Sequence, residues 1–533
     1  MNMLPPPPGT RRTAFAALSL AGVVALAACS GGGTDGDAEY VDGGTFVFAL
    51  ASDLGALDPH LAITGSGLNA ARFAYDQLVG LDADNTIVSN LASDWSVDGT
   101  TVTLTLRDDV TCADGSAFTA STAAANIDFI ADPANASPLL AVYVPAGVTT
   151  DADDDTGTLT LTLASPAPFV LEGLAGVPMV CEAGLADRSL LASETQGTGA
   201  YVLTEAVAND RYTYEVRDGY TWGPDGASTD EEGLPAVVEL RIVPNETTLA
   251  NLLLSGEVNA GSVLGPDAAR LEPLFSVENR AVTGEQWFNH APGNVTAELA
   301  VRTALTQALD LDELANVITS GEGERATQLA VVEPTTCQGG DFTAAFPAFD
   351  PDAAAQALEQ AGWTEGAGGV RERDGRPLSI SFIHDSALGS GGAAAAELAV
   401  AAWTEIGIDV QASTLPTDEL AGILFGGGSW DVVWEPLNVN SPDQIVGLIS
   451  GPPPAEGGSN FASIANEAYD AGVADAMSLI GADSCDAWFA AEEALVADLD
   501  VLPFANTVQS LYGSGAEFRW PGTIDPTSIR MTR

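Results

Sequence analysis

Three histidines, five cysteines and 74 carboxylates are the residues of this 533-residue chain whose types could do chemistry. Their spacing decides what chemistry that would be. His384-Asp385-Ser386 contains the side-chain types of a nucleophilic triad. Adjacent residues point in different directions and cannot hold the geometry such a triad requires. No Gly-x-Ser-x-Gly elbow, no His-Glu-x-x-His pair and no Ser-x-x-Lys occurs. The acidic run Asp151 to Asp155, followed by Gly157, approaches a calcium loop. The glycine comes one residue late and Thr162 stands where a bidentate glutamate belongs, so the run is expected to be a solvated hairpin tip. The histidines are scattered and no two cysteines are close, so no zinc site, no other metal and no cofactor is expected. The chain does not read as an enzyme.

The elements that position these residues follow from periodicity. Thr101–Leu106 and Thr158–Leu163 alternate with period two, the pattern of half-buried antiparallel strands. Phe46–Leu50 and Ala236–Val243 are further strands, and Thr247–Ser255 is a helix stopped by Gly256. A helix starts at Glu298, with apolar residues at 301, 305 and 309. Asp310 with Glu313 forms a capping box, and Asp350-Pro351 opens a helix that ends near Gly362. From Leu378 to Trp434 the order is strand, helix, strand, helix, strand. That order demands a parallel sheet, and ligands bind outside the carboxyl ends of such strands. The loop leaving the last strand is Glu435 to Pro442, so Trp434 through Asn440 is expected to face a ligand. A late helix, Asp486–Leu499, precedes a strand, Leu502–Val508.

Composition narrows the partners. All 18 basic residues are arginine, and the net charge is −56. Such a surface cannot neutralise a phosphate backbone or grip an anionic bilayer, which excludes nucleic acid and lipid surfaces as electrostatic partners. With 46% apolar residues the chain is not a disordered acidic tail. Arg11-Arg12 precedes an apolar stretch from Ala14 to Ala28, shorter than the roughly 20 residues that span a bilayer. It ends in Leu26-Ala27-Ala28-Cys29, which resembles the lipobox of bacterial lipoproteins. Residues 1–28 are therefore expected to be a signal peptide, Cys29 a lipidation site, and the Gly-, Ser- and Asp-rich residues 29–42 a tether. Four cysteines remain, Cys112, Cys181, Cys337 and Cys485, an even number that in an exported chain reads as two disulfides with three possible pairings.

A series of short motifs then appears in a fixed order. It begins with Gly43-Gly44-Thr45-Phe46, Leu57-Asp58-Pro59, Tyr75-Asp76-Gln77-Leu78 and Leu91-Ala92-Ser93-Asp94-Trp95. It continues through Leu106-Arg107, Asp114-Gly115, Phe118-Thr119-Ala120 and Gly197-Thr198-Gly199-Ala200-Tyr201 with Tyr220 and Trp222. Leu254-Ser255-Gly256-Glu257-Val258, Val301-Arg302-Thr303-Ala304-Leu305 and Ala361-Gly362-Trp363 complete it. The series resembles the family 5 solute-binding proteins of ABC importers, a group that includes dipeptide, oligopeptide and nickel binders. The resemblance implies an α/β periplasmic-binding-protein-like fold (type II, cluster C), with three lobes around a ligand cleft. Lobe I is expected from 43–60, 190–265 and 500–533, lobe II from 61–189 and lobe III from 266–499. It implies a monomeric, extracytoplasmic capture protein, held at the membrane by Cys29, that closes on a small solute, first of all a peptide, and hands it to a membrane permease. A sensor or adhesin on the same fold is the alternative, and a secreted hydrolase a more distant one.

The same resemblance suggests where a solute would sit. Dipeptide-binding members place an aspartate four residues before a proline in the loop after the last strand, where it pairs with the peptide's amino group. Matching that proline to Pro442 puts Asn438 at the aspartate position, a neutral amide that cannot neutralise an ammonium. Glu435 could supply the carboxylate, and Trp434, Asn440, Trp287, Asn289 and Thr507 fall in segments that line the family's cleft. Arg302 is expected to be structural, and His290, a lone histidine, is not expected to hold metal. Cys112–Cys181 and Cys337–Cys485 are the expected bridges, because each stays within one lobe or its border and a bridge across the cleft would lock the clamp. A peptide map with and without reductant should return these two linked pairs; a Cys112–Cys337 or Cys112–Cys485 linkage would refute the assignment.

Overall fold

The computed structural model describes residues 39–533 except 63–64, 83, 264 and 367. The signal segment, Cys29 and most of the tether lie outside the described residues. Two long antiparallel strands, Phe275–Phe288 and Val501–Gly513, run side by side from Phe275 opposite Gly513 to Trp287 opposite Val501. They have 14 and 13 residues, against at most 7 in any other strand of the sheet, and each end serves a different half of one eleven-stranded sheet. At one end Val432–Trp434 pairs antiparallel with Gln286–Phe288, and Ser379–Asp385 and Asp409–Leu415 follow in parallel. At the other end Ala260–Ser262 pairs with Leu511–Gly513. Thr45–Leu50, Val237–Ile242, Arg211–Val216 and Tyr201–Val207 then follow, and Gly323–Glu324, paired with Asn506 and Thr507 of the long strand, is the eleventh.

The expected strand–helix alternation is present, with helices Gly389–Glu405 and Thr417–Gly426 between the three parallel strands. The last strand is short, Val432–Trp434, and Asp431 just before it is tied to Ser381 twice, its N–H donating to the Ser381 carbonyl at 3.0 Å and its carboxylate accepting from Ser381 N–H at 2.8 Å. The capping residues act as their types require: Asp310 accepts from the backbone N–H groups of Asp312 and Glu313, and Asp350 from that of Ala353. Gly256 closes helix Glu246–Ser255 in the left-handed conformation.

A separate four-stranded antiparallel sheet orders Ala92–Asp98, Thr101–Leu106, Thr158–Thr162 and Thr149–Asp153, with helix Ala120–Ala131 packed beside it. In Thr101–Leu106 the residues at 102, 104 and 106 are buried and those at 101, 103 and 105 are not, the alternation of a one-sided sheet. The acidic run lies at the tip between its last two strands, where Asp153 accepts from the N–H groups of Asp155 and Thr156. Both expected disulfides are formed, Cys112–Cys181 and Cys337–Cys485.

The early motifs converge on one buried carboxylate. Asp76 accepts from the Tyr220 hydroxyl at 2.7 Å, the Thr198 hydroxyl at 2.9 Å and the Trp222 indole N–H at 3.1 Å. The 197–201 segment must pass against the backbone at Ala74 for this to happen, and a Cβ on Gly199 would lie 2.4 Å from the Ala74 carbonyl carbon. The Asp76 cluster sits within a single apolar core that runs from Phe46 and Phe48 through Phe73, Val102 and Ile127 to Val238. The parts assigned in sequence to lobes I and II are thus packed on one another, while residues 288–505 supply two other cores. Asp76→Ala would leave the buried hydroxyls of Tyr220 and Thr198 without an acceptor, while the Trp222 indole keeps the Thr198 carbonyl at 3.2 Å, and should lower unfolding free energy by about 3 kcal/mol, read as a shifted denaturant midpoint.

Candidate functional site

A cavity of about 620 Å³ lies where segments distant in sequence meet. Residues of the 68–85, 141–146 and 165–178 segments form one wall, 332–336 and 440–446 face them, and 521–525 contributes to the lining. Each wall has a local cause. Val332 N–H donates to the Val439 carbonyl at 3.2 Å, Thr336 N–H to the Asn440 carbonyl at 3.1 Å, and the Asn440 amide back to the Val332 carbonyl at 2.9 Å. Those bonds zip 332–336 to the loop that leaves the last parallel strand, and the Cys337–Cys485 bridge pins the end of the zipper. On the opposite wall Tyr143 lies directly on the short helix Val170–Leu174. A Cβ on Gly173 would stand 2.6 Å from the Tyr143 carbonyl oxygen, so only glycine permits the approach. Ile524 N–H donates to the Asn69 side chain at 3.0 Å, which holds 521–525 on the helix carrying Arg72.

The two walls touch at their rims. The Asn85 amide donates to Glu333 at 2.9 Å, Gly481 N–H donates to the Pro168 carbonyl at 2.9 Å, and the rings of Phe169 and Trp488 lie 6.4 Å apart. Much of the lining is apolar, with Leu68, Val142, Phe169, Val446 and Met477 among it. Polar groups are few and specific. Arg72 donates to the Ala175 carbonyl at 3.3 Å. Burial lowers its affinity for its proton, and Asp525 and Asp76 oppose that loss. Burial pushes Glu172 up to about 7, and the charge of Asp443 pushes the same way. Burial also raises Asp443, against the hydroxyl of Ser441 that donates to it. Burial raises the Tyr143 phenol.

The residues singled out in the sequence are distributed unevenly about this cavity. Asn440 lines it. Asn438 does not, because its side chain is spent on the long strand: its Oδ1 accepts from Val282 N–H at 2.8 Å and its amide faces the Val282 carbonyl at 3.4 Å. Thr507 bonds hydroxyl to hydroxyl with Thr283, also outside the lining. Trp434 and Trp287 are wholly enclosed in core, their indole N–H groups donating to Gln286 at 2.8 Å and the Glu435 carbonyl at 3.0 Å. Asn289 is buried and donates to the Trp430 carbonyl at 2.9 Å. The expected aromatic lining is therefore replaced in this structure by Tyr143 and Phe169 from the other wall.

Glu435 also stands away from the cavity lining, above a set of buried acids. Burial pushes Glu435 up to about 7, with Asp385 adding to it. Beneath it burial pushes Glu285 up to about 8, although Glu285 accepts from Leu437 N–H at 2.7 Å. Glu492, which accepts from Leu329 N–H at 3.2 Å, is pushed to about 7 by burial. His290 is driven down to about 3 by burial and by Arg302. Arg302 donates to the carbonyls of Thr296, Ala297 and Asp498, the structural role expected of it. Sequence reasoning missed Arg72, Tyr143, Glu172 and Asp443. Asp443 was within reach, one residue beyond the expected loop, while Glu172 carries no signal except the close Gly173 and Gly176.

A partly open, mostly apolar cavity with a few placed polar groups is the form of a site that binds a small molecule. Residues 86–451 match the model of the bacterial extracellular solute-binding proteins, family 5, and the chain belongs to that family. Its relatives include the nickel-binding periplasmic protein of Escherichia coli strain K12, 30% identical over 424 residues, or 75% of this chain and 74% of that one. Protein XP55 of Streptomyces lividans is 30% identical over 396 residues, 70% of this chain and 67% of that one. A substrate-binding protein from Microbacterium hydrocarbonoxydans, solved with 4-hydroxybenzoate hydrazide, superposes with a TM-score of 0.66 at 28% identity, covering 92% of this chain and 100% of that one. The fold is the α/β periplasmic-binding type, and the protein is an extracytoplasmic binding protein rather than an enzyme. Among the described residues no helix is long and apolar enough to cross a membrane, and no three ligating side chains are grouped to hold a metal ion.

The buried acids fix a pH dependence. A carboxyl whose folded pKa lies above its unfolded value binds its proton more tightly when folded. Its contribution is complete below the unfolded pKa, near 4.5, and is lost as pH rises through the folded value. Glu285, at about 8, and Glu492, at about 7, should therefore make the protein more stable at pH 6.5 than at pH 8, by about 2 kcal/mol together. The depressed His60 and His290 act in the opposite sense only below about 6.5, where unfolded histidine begins to charge. Glu172 and Glu435, also at about 7, add to the difference in the same direction; chemical denaturation at the two pH values should show it, and Glu285→Gln should remove the largest single share.

Proposed function

We propose that this chain is the solute-capturing subunit of an ABC importer. It is anchored to the outer face of the cell membrane through lipidated Cys29, acts as a monomer, and delivers its solute to membrane permease subunits. In this reading the lobes have the boundaries given above. The family resemblance implies a solute buried between lobes I and III as they close; the cavity instead takes most of its lining from lobe II, which supplies 68–85 and 141–178, and lobe III, which supplies 332–336 and 440–446, with 521–525 of lobe I contributing. Capture is a shift between open and closed arrangements, biased by contacts that a solute makes to both walls at once.

The observation that carries the proposal is the cavity itself. Its volume of about 620 Å³ falls inside the range of roughly 300–1,000 Å³ common for sites that bury a small organic molecule. A short peptide is the solute class we favour. The relatives' names cover nickel, glutathione and a hydrazide, so the family tolerates wide change of cargo on one frame. Native mass spectrometry of the soluble chain beginning at Ser30, purified without refolding, tests the reading. A family of adduct masses matching short peptides is the expected result. A single non-peptide adduct would keep the capture role and refute the peptide assignment.

A further inference from the structure

The ring of Phe169 is buried in a half of the molecule to which its own helix does not belong. Phe169 caps the short helix Val170–Leu174, whose Val170, Leu171 and Leu174 join the core that holds Val102 and Ile127. Phe169 is not part of that core. It is 5% exposed within a small separate cluster whose other buried members are Cys337, Ala476 and Trp488, with Val446 and Val473 packed against them. By the lobe boundaries proposed above, Phe169 comes from lobe II and every other member of the cluster from lobe III. Each side is braced by its own contacts. Ala476 ends helix Glu467–Ala476, Trp488 stands in helix Cys485–Ala497, and the Cys337–Cys485 bridge fastens the start of that second helix to the end of the 332–336 wall. On the other side Pro166 and Pro168 fix two backbone φ angles of the approach, and the Phe169 carbonyl accepts from Gly173 N–H at 2.9 Å. The rings of Phe169 and Trp488 then lie 6.4 Å apart, and beside them Gly481 N–H donates to the Pro168 carbonyl at 2.9 Å.

Every group in this contact belongs to the protein itself. We propose that Phe169 in its socket is a latch that holds lobes II and III together with no solute present, so that the empty protein rests closed and must unlatch to admit its cargo. The proposal rests on the lobe boundaries and the capture role inferred above, and it gives that role a regulation: the open population is set by the seating of one ring rather than by the cargo. Burying a phenylalanine ring shifts the balance of closed over open by about ten- to a hundred-fold. The backbone bond beside it adds less, since a carbonyl or N–H released from the seam is taken up by water. Closure and recognition then draw on different atoms. Cys337, Ala476 and Trp488 are not in the cavity lining, although Phe169 also borders it. Entry and exit of a solute both wait for the ring to leave, so a weakened latch speeds both.

The test reads closure on the chain from Ser30, dialysed until native mass spectrometry shows it empty. Amide hydrogen exchange follows the segment 478–484, which carries the Gly481 N–H, and small-angle scattering follows the overall dimensions. The empty wild type should scatter as the closed arrangement does and should protect that segment. Phe169→Ala should widen the particle and cut the protection at least about ten-fold, and Trp488→Ala should do the same from the other side. The two changes together should cost no more protection than either alone, because each empties the same contact. Ala476→Leu, which fills the socket by adding bulk, should also open the protein, and Phe169→Leu should keep most of the protection. Leu171→Ala removes bulk from the same helix but from the core of its own lobe; it should lower the melting temperature and leave 478–484 protected. An empty wild type that is already open, or protection at 478–484 that the Phe169→Ala, Trp488→Ala and Ala476→Leu variants all leave unchanged, would overturn the latch. Neither result touches the capture role, which stands or falls on the adducts that co-purify.

Discussion

The pairing of Phe275–Phe288 with Val501–Gly513 is the constraint on which the rest of the molecule depends. The strands are separated by more than two hundred residues of chain, so their register can form only after much of the intervening sequence is organised. Once made, it sets both halves of the large sheet. One end of the ribbon fixes where Val432–Trp434 lies, and the other fixes where Ala260–Ser262 joins. The ribbon belongs to both halves, and along its middle it is joined by Gly323–Glu324 beside Asn506 and Thr507 and by Asn438 on Val282. Phe275–Phe288 is open in its first residues and buried from Gly284 onward.

From that frame the cavity follows in steps. The last parallel strand ends at Trp434, locked by its indole to Gln286 of the ribbon. The loop beyond it is held down twice, by Glu285 on Leu437 N–H and by Asn438 on Val282. Only after these anchors does the loop turn outward, zip to 332–336 and present Asn440 and Asp443 to open space. The facing wall depends on the Cys112–Cys181 bridge, which ties the 61–189 segment to itself, and on the Asp76 cluster, which joins that segment to 198–222 within a shared core. Holding the site takes more buried polar chemistry than the site itself contains.

The sequence made much of this legible. Period-two alternation gave Thr101–Leu106 and Thr158–Thr162, and Gly and capping signals gave the ends of most helices. The parallel unit from 379 to 434 was readable because its strands are short apolar runs between helices of ordinary length. The ribbon was not readable at full length. Ser276-Val277-Glu278-Asn279-Arg280 has no apolar alternation, because it is held by backbone pairing and by polar side chains, Asn279 donating to the Trp520 carbonyl at 3.0 Å and Arg280 pairing with Glu324. The site was half legible. The loop after the last strand was singled out from topology, but of Trp434 through Asn440 only Asn440 lines the cavity, and Trp287 and Trp434, chosen as aromatics, fill core. Glu172 was invisible, since one acid among 74 carries no signal until the fold sets it opposite another.

The seam between the two cavity walls is made partly from main-chain atoms. Gly481 N–H meets the Pro168 carbonyl, and the Val142 carbonyl faces the Gln444 amide. Backbone groups are present whatever residue occupies a position. A lineage can therefore exchange the side chains that line the cavity, and so change its cargo, without rewriting the seam along which the walls come together. Recognition and closure are inherited separately in such an arrangement, and one frame can diverge among chemically unlike solutes while its moving parts stay the same.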